Sequence, residues 1–255
     1  LFPPATGSVK HIVMQILIIG YGRMGTAVES ACSGRDWASP VIAESYEALQ
    51  RIDMRRIDVA VEFTRAPACV ANYRYCMEKG VPVVTGTTGW GAYENEVQQC
   101  VTDNNGAFLH AANFSIGVHL FWYLAEKGAR LFDNQPRYDV HMHEMHHGYK
   151  KDAPSGTAHH TAQRLLDNMT RKTHVTTGDA EGPLAPETLH VSASRGGYHP
   201  GMHAVYFDSP DDTVTLQHEA RTRGGFANGA LDCAAWLPAR QGFFTITDYL
   251  EDILS

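Results

Sequence analysis

The chain has 255 residues, a formal net charge of −7, and 44% hydrophobic against 19% charged residues. That length supports one or two domains with a sizeable core, and an acidic balance without a basic run argues against a nucleic-acid partner. No apolar stretch is long enough to cross a membrane; the five cysteines, Cys32, Cys69, Cys76, Cys100 and Cys233, form no C-x-x-C pair and read as small buried hydrophobes of a reducing, cytoplasmic protein.

Residues 1–13, LFPPATGSVKHIV, lack the charged start and long apolar core of a signal peptide. Met14 directly precedes a strand pattern, so residues 1–13 are expected to be a non-native leader. Residues 15–19 are short, apolar and β-branched, the pattern of a buried parallel strand. They run into Gly20-Tyr21-Gly22-Arg23-Met24-Gly25, a G-x-G-x-x-G, and then a helical pattern through Ala27, Val28, Ala31 and Cys32. Strand, glycine turn and helix in that order are the context of a dinucleotide fingerprint. Gly20 serves the tight turn, Gly22 the approach of a pyrophosphate, and Gly25 the helix–strand packing, while the helix start offers free N–H groups to phosphate. A second strand, 40–43, ends at Glu44, where an acid should meet the adenosine ribose; no arginine stands beside it to favour a 2′-phosphate.

The third strand, 58–63, is closed by Thr64, and a helix with Pro67 near its first turn runs to about Lys79 and stops at Gly80. A fourth strand, 81–85, ends in Gly86-Thr87-Thr88-Gly89-Trp90; after a helix over 93–104, a fifth, 107–111, ends in Ala112-Asn113-Phe114-Ser115. Small, hydroxyl-rich loops thus follow several parallel strands at the edge where α/β sheets bind ligands. A helix over 116–132 follows, and then the pattern changes to long alternating strands at 138–144, 189–195, 203–208 and 213–220, with a hairpin turn at Ser209-Pro210-Asp211-Asp212. A helix is expected over 156–169, an excursion loop over 170–187, a helix over 226–237, and an amphipathic helix ending the tail 243–254. The reading is an α/β protein. It has an N-terminal Rossmann dinucleotide-binding domain, 14–115 with 231–255, and a C-terminal α+β domain, 116–230, for substrate binding and oligomerisation. The second domain has a mixed, largely antiparallel sheet.

Residues 140–160, VHMHEMHHGYKKDAPSGTAHH, concentrate the chemistry. His143-Glu144-Met145-His146-His147 satisfies the zinc-protease pattern H-E-x-x-H, which needs a helix to turn both histidines to one metal. The flanks argue for a strand instead: Tyr138, Val140 and Met142 alternate with Asp139, His141 and His143, and Gly148 and Pro154 would break a helix. A second reading is a His-His-x-x-Lys acid/base cluster followed by a helix N-terminus at Ser155-Gly156-Thr157 that holds carboxylates. A third is a polar histidine-rich loop without chemistry.

EMHHGYKKDAPSGTA resembles the signature of the dihydrodipicolinate reductase family, E-x-H-H-x-x-K-x-D-A-P-S-G-T-A, at every fixed position. GYGRMG, EFTRAP, GTTGW, AANFSIGV and HEARTRGGFANGAL agree in order, and the resemblance spans residues 14–255. Glu62 stands where the family's acidic-Phe-Thr triplet starts with Asp, and the segment around Glu44 is short. The resemblance implies reduction of 4-hydroxy-tetrahydrodipicolinate to tetrahydrodipicolinate with NADH or NADPH, in diaminopimelate and lysine synthesis, by a cytoplasmic homotetramer built through its C-terminal sheets. It implies His146 as catalytic acid/base and Lys150 as proton donor, with His147, Ser155, Gly156 and Thr157 on a small dicarboxylate substrate. Gly20, Tyr21, Gly22, Arg23, Met24, Glu44, Phe63, Gly86, Thr87, Thr88, Ala111, Ala112, Asn113 and Phe114 would line the cofactor, and no metal is called for. Two other classes stay open: a zinc hydrolase, which would bind stoichiometric zinc and no NADH, and a non-catalytic NAD(H)-binding sensor. The absence of a DNA-binding helix-turn-helix or basic face speaks against the sensor.

Overall fold

The computed structural model describes residues 13–180 and 182–254, so residues 1–12 of the expected leader lie outside the described residues. The chain forms two compact units, one holding residues up to 114 and again from 226, the other 115–225. In order, the first unit contributes β1 (Ile16–Ile19), α1 (Arg23–Cys32), β2 (Val41–Ala43), α2 (Tyr46–Gln50), β3 (Val59–Glu62), α3 (Ala68–Glu78), β4 (Val83–Thr85), α4 (Glu94–Asp103) and β5 (Ala107–His110). The second contributes α5 (Ile116–Asp133), β6 (Asp139–His146), α6 (Gly156–Asp167), β7 (His174–Thr177), β8 (Thr188–Arg195), β9 (Met202–Asp208) and β10 (Thr213–Glu219). Helix α7 (Gly224–Trp236) returns the chain to the first unit, which ends with β11 (Gly242–Thr245) and α8 (Ile246–Leu254).

The first unit is a parallel sheet in the order β11-β5-β4-β3-β1-β2. Strands β1, β3 and β4 are buried along their whole length, as their mostly apolar runs require. The register aligns the strand ends: Ile19 pairs with Ala43 and Glu62, Glu62 with Thr85, and Thr85 with His110, which pairs with Thr245. Loops after these strands therefore leave from one edge. The strand order reverses at β1, whose neighbours are β2 and β3, and such a switch point opens a crevice at the strand ends. Below it, Phe108 packs among Tyr73, Trp90 and Phe243 at ring separations of 5.0, 5.7 and 5.2 Å.

The second unit is a mixed sheet in the order β10-β9-β6-β8-β7, in which β10–β9 and β9–β6 are antiparallel and β6–β8 and β8–β7 parallel. Its core joins Val140, Met142, Leu189, Val191, Val205 and Phe207 of the sheet to Trp122, Ala125 and Ala129 of α5 and to Ala162 and Leu165 of α6. Gly128 lets α5 approach β9 closely, since a Cβ there would stand 2.8 Å from Phe207 Cζ.

Several elements differ from the sequence reading. Strand β7 lies inside the stretch expected to be an excursion loop, and buried Lys172 fixes it there by binding the carbonyls of Pro186 and Thr188, at 2.9 and 2.8 Å, and pairing with Asp139 at 2.5 Å. The tail opens with β11, parallel to β5, before its helix. Strand β6 continues to His146, two residues beyond the expected end, which carries the histidine into the sheet. Among the described residues no helix is long and apolar enough to cross a membrane.

Candidate active site

In the first unit the crevice is built from strand-end loops. Gly20 has φ +90°, and a Cβ there would lie 2.5 Å from the Phe63 carbonyl oxygen, so the turn after β1 and the end of β3 touch backbone to backbone. A Cβ on Gly25 would stand 2.2 Å from the Gly20 carbonyl oxygen, which fixes α1 tightly against β1. Gly22 caps α1 without a side-chain hydrogen bond, and nothing lies within 4 Å of where its Cβ would be. The first amides of α1 at Arg23 and Met24 thus open onto free space, the requirement for an approaching phosphate. Glu44 stands exposed directly after β2, and Ser45 is occupied as the cap of α2, accepting from the Ala48 amide at 3.2 Å. Tyr21, also exposed, turns its hydroxyl to Glu29 of α1.

Phe63 lies over Gly86, where a Cβ would come within 2.1 Å of its ring, and meets Phe114 edge-on at 6.1 Å. Residues at the ends of β3, β4 and β5 thereby form one wall. Its organiser is Glu62, absent from the sequence reading of the site: fully buried at the end of β3, it accepts from the Thr64 amide at 3.0 Å, the Thr64 hydroxyl, and the Thr85 hydroxyl at 2.7 Å. Thr87 joins the same set by accepting the Thr64 amide at 2.8 Å, while Thr88 is exposed. Ala111 continues the ladder, its amide donating to the Thr85 carbonyl at 3.1 Å, with Ala112 exposed and Asn113 half-buried beyond it.

In the second unit the alternation of β6 decides what faces what. Val140 and Met142 enter the core, and two residues further along the same face are Glu144 and His146, 0% and 7% exposed. His143 points to the opposite face, held between Ser192 and Ser194 at 2.8 and 3.0 Å. The histidines of H-E-x-x-H, His143 and His147, do not converge as they would on a helix, because His143 lies in the extended β6 and His147 directly follows its end. Pairing sets His203 of β9 directly across from Glu144, and Arg195 of β8 across from His146. Neither was legible in the sequence, which does not give strand register.

Glu144 is the hub. Its Oε1 accepts from Arg195 at 2.6 Å and from the Ser155 amide at 3.0 Å. Its Oε2 faces His203 Nε2 at 3.4 Å and His146 Nδ1 at 3.5 Å. Burial alone would push this carboxyl up, but contacts with His203, Ser155 and Arg195 outweigh it and hold the group well below the usual carboxylate range. Burial pulls the His146 imidazole down to about 4; Glu144 opposes the fall, and His203, Lys150 and Arg195 reinforce it. Glu144, His146 and His203 could offer a metal ion three atoms within 4.8 Å of one another. Arg195 on the same carboxylate places a competing positive charge there.

Ser155 connects the hub to α6. Its hydroxyl caps the helix, accepting the Ala158 amide at 3.2 Å, and lies 3.0 Å from His203 Nε2. Gly156 is exposed with nothing within 4 Å of its would-be Cβ, and Thr157 is half-buried beside it, so the first amides of a twelve-residue helix are open to an anion. Lys150 acts electrostatically on His146 and pairs with Asp152 at 2.7 Å. The amide of His147 donates to the His199 carbonyl at 2.9 Å, and its buried Nδ1 has no hydrogen-bond partner.

The "Dihydrodipicolinate reductase, C-terminus" family profile matches residues 117–250, and its N-terminal counterpart matches 37–114. The chain belongs to the dihydrodipicolinate reductase family. It is 34% identical over 242 residues to the 4-hydroxy-tetrahydrodipicolinate reductase of Christiangramia forsetii, covering 94% of this chain and 99% of that one. The reductase of Methanocorpusculum labreanum is 33% identical, with 93% and 99% covered. Among solved structures, the dipicolinate-bound dihydrodipicolinate reductase of Paenisporosarcina sp. TG-14 shares the fold with a TM-score of 0.73 at 20% identity, over 92% of this chain and 98% of that one. The glycine-rich turn at 20–25 lies ahead of the N-terminal match, so its assignment within the dihydrodipicolinate reductase pattern rests on the geometry of β1 and α1.

Proposed function

We propose that this chain is a 4-hydroxy-tetrahydrodipicolinate reductase that uses NADH or NADPH, an oxidoreductase of diaminopimelate and lysine synthesis. The observation that carries the reading is the join in the second unit: one buried carboxylate, Glu144, binds the amide at the start of α6 and faces the imidazole of His146. An open helix start beside a lysine and a histidine suits a ring bearing two carboxylates.

The open amides of α1 and the space at Gly22 fit a dinucleotide pyrophosphate, with Gly20, Tyr21, Arg23 and Met24 around it and Glu44 toward the ribose. The wall of Phe63, Gly86, Thr87, Thr88 and 111–114 shields the reacting end from water. When bound, the nicotinamide would supply a hydride to the conjugated C=C–C=N system that forms when the substrate's 4-hydroxyl leaves as water. Gly156 through its amide and Thr157 through its amide and hydroxyl hold one carboxylate, and His147 helps to hold the other. His146, with its pKa near 4, is neutral in the free protein at neutral pH, so Lys150 delivers the proton that balances the hydride. His146 serves as the acid/base group once the anionic substrate is beside it.

A homotetramer in the cytoplasm belongs to the same proposal. Helices α5 and α6 cover one face of the mixed sheet, and the other carries His141 stacked on Tyr206 at 4.9 Å and the His143–serine cluster, a surface suited to self-association. The test of the activity is dinucleotide oxidation followed at its absorbance, with substrate generated in situ by the preceding synthase. Synthase-dependent oxidation is expected; oxidation that is absent, or that ignores the synthase, overturns the reading.

A further inference from the structure

The buried side of the second-unit site contains an arrangement that acid/base chemistry at His146 and Lys150 leaves unused. His146 Nδ1 is shut off from solvent without a hydrogen-bond partner and faces Glu144 Oε2, buried and likewise without one, at 3.5 Å; His203 Nε2 stands 3.4 Å from the same oxygen. The other ring nitrogen, Nε2, lies on the far side of the imidazole, against Gly201. A Cβ at Gly201, whose φ is +152°, would stand 2.9 Å from that nitrogen, so only glycine leaves room there. The ring is thus set between a carboxylate beside one nitrogen and, beside the other, the close-packed backbone of Gly201, which carries no side chain to cover Nε2. The carboxylate cannot turn away: Arg195 at 2.6 Å and the Ser155 amide at 3.0 Å hold its other oxygen. His203, opposite Glu144 in the sheet and 3.0 Å from the Ser155 hydroxyl, closes the ring of contacts.

We propose that Glu144 is a positioning residue that sets the tautomer of His146, with the proton on Nδ1 toward the carboxylate and Nε2 free to meet the substrate. The same carboxylate fixes the amide that begins α6, so the imidazole and the anion-holding helix start keep one geometry. A histidine that works through one ring nitrogen is oriented by what the other binds. The inference rests on the reductase reading for the meaning of "substrate" and concerns only how the site is held.

Glu144→Gln tests it. The amide oxygen can replace Oε1 toward Arg195 and Ser155, which leaves the NH2 group facing His146 Nδ1. A donor there requires an unprotonated Nδ1, so the imidazole proton moves to Nε2. Nitrogen NMR of histidine-labelled protein, with the His146 signal assigned through His146→Gln, reads this directly. Wild type is expected to show protonated Nδ1 and Glu144→Gln protonated Nε2, with unchanged NADH affinity and kcat lower by about 10- to 100-fold, the usual scale for a group that orients another. Glu144→Asp, which keeps the charge, should retain Nδ1 protonation and recover part of kcat. Protonated Nε2 in the wild type overturns the proposal even if Glu144→Gln does not fold, and so does a folded Glu144→Gln with protonated Nδ1. A wild type that shows protonated Nδ1 but no reductase turnover would instead count against the functional reading and leave the positioning intact.

Discussion

Acidification should weaken this protein through His146 in a way that can be separated from general acid effects. The native imidazole titrates near 4 because it is buried, whereas in the unfolded chain it titrates near the ordinary value of about 6.5. The unfolded state therefore binds the proton first as pH falls, and native stability is lost across the window from about 6.5 down to about 4. Between about pH 7.5 and pH 5 the loss from this residue is on the order of 2 kcal/mol, approaching about 3 kcal/mol at lower pH. His146→Gln keeps a neutral polar side chain and removes the titration. Urea unfolding at the two pH values, at fixed ionic strength, should show a smaller drop in stability for His146→Gln than for wild type, by about that 2 kcal/mol. Equal drops in the two proteins would mean that His146 is not held neutral by burial, and would undo the assignment of the proton to Lys150.

Other outcomes follow from the same geometry. Exposed Glu44, with Ser45 and not a basic residue after it, should repel a 2′-phosphate, so NADH is used at least as well as NADPH; a kcat/KM for NADPH more than about tenfold higher, about 1.4 kcal/mol, contradicts this. Thr157→Val keeps the shape at the start of α6 but removes a hydroxyl donor to the carboxylate. It should raise KM more than it lowers kcat, by about 1.5 to 3 kcal/mol, and steady-state kinetics showing the reverse would remove Thr157 from substrate binding. Sedimentation of a stable monomer of 28.1 kDa at micromolar concentration would refute assembly through the mixed sheet.

The sequence made the parallel sheet legible because β1, β3 and β4 are buried along their whole length and are written as short, mostly apolar runs followed by glycine or a hydroxyl. Strands β7 and β11 escaped for the opposite reason: both are four residues at sheet edges, with half-exposed residues and no period to read. In the site, the strand period upstream and the helix breakers Gly148 and Pro154 weakened the zinc pattern, whose histidines, His143 and His147, converge only on a helix. The same period held a signal that passed unread. Glu144 continues the face that buries Val140 and Met142, and a carboxylate on a buried face must find partners. Which partners it finds, Arg195 and His203, depends on strands more than fifty residues away in sequence and on their register, which no local pattern encodes. Glu62 is the parallel case in the first unit, where the hydroxyls it gathers come from two different strand ends.

The most direct test of the account is the pair Lys150→Ala and His143→Ala, each measured for kcat with synthase-generated substrate and for NADH affinity by fluorescence titration. If Lys150 delivers the proton, Lys150→Ala should lower kcat by a factor on the order of 10² to 10⁴ with NADH affinity nearly unchanged. His143, held between two serines on the other face of β6, should be dispensable. Full activity in Lys150→Ala beside an inactive His143→Ala would contradict the account.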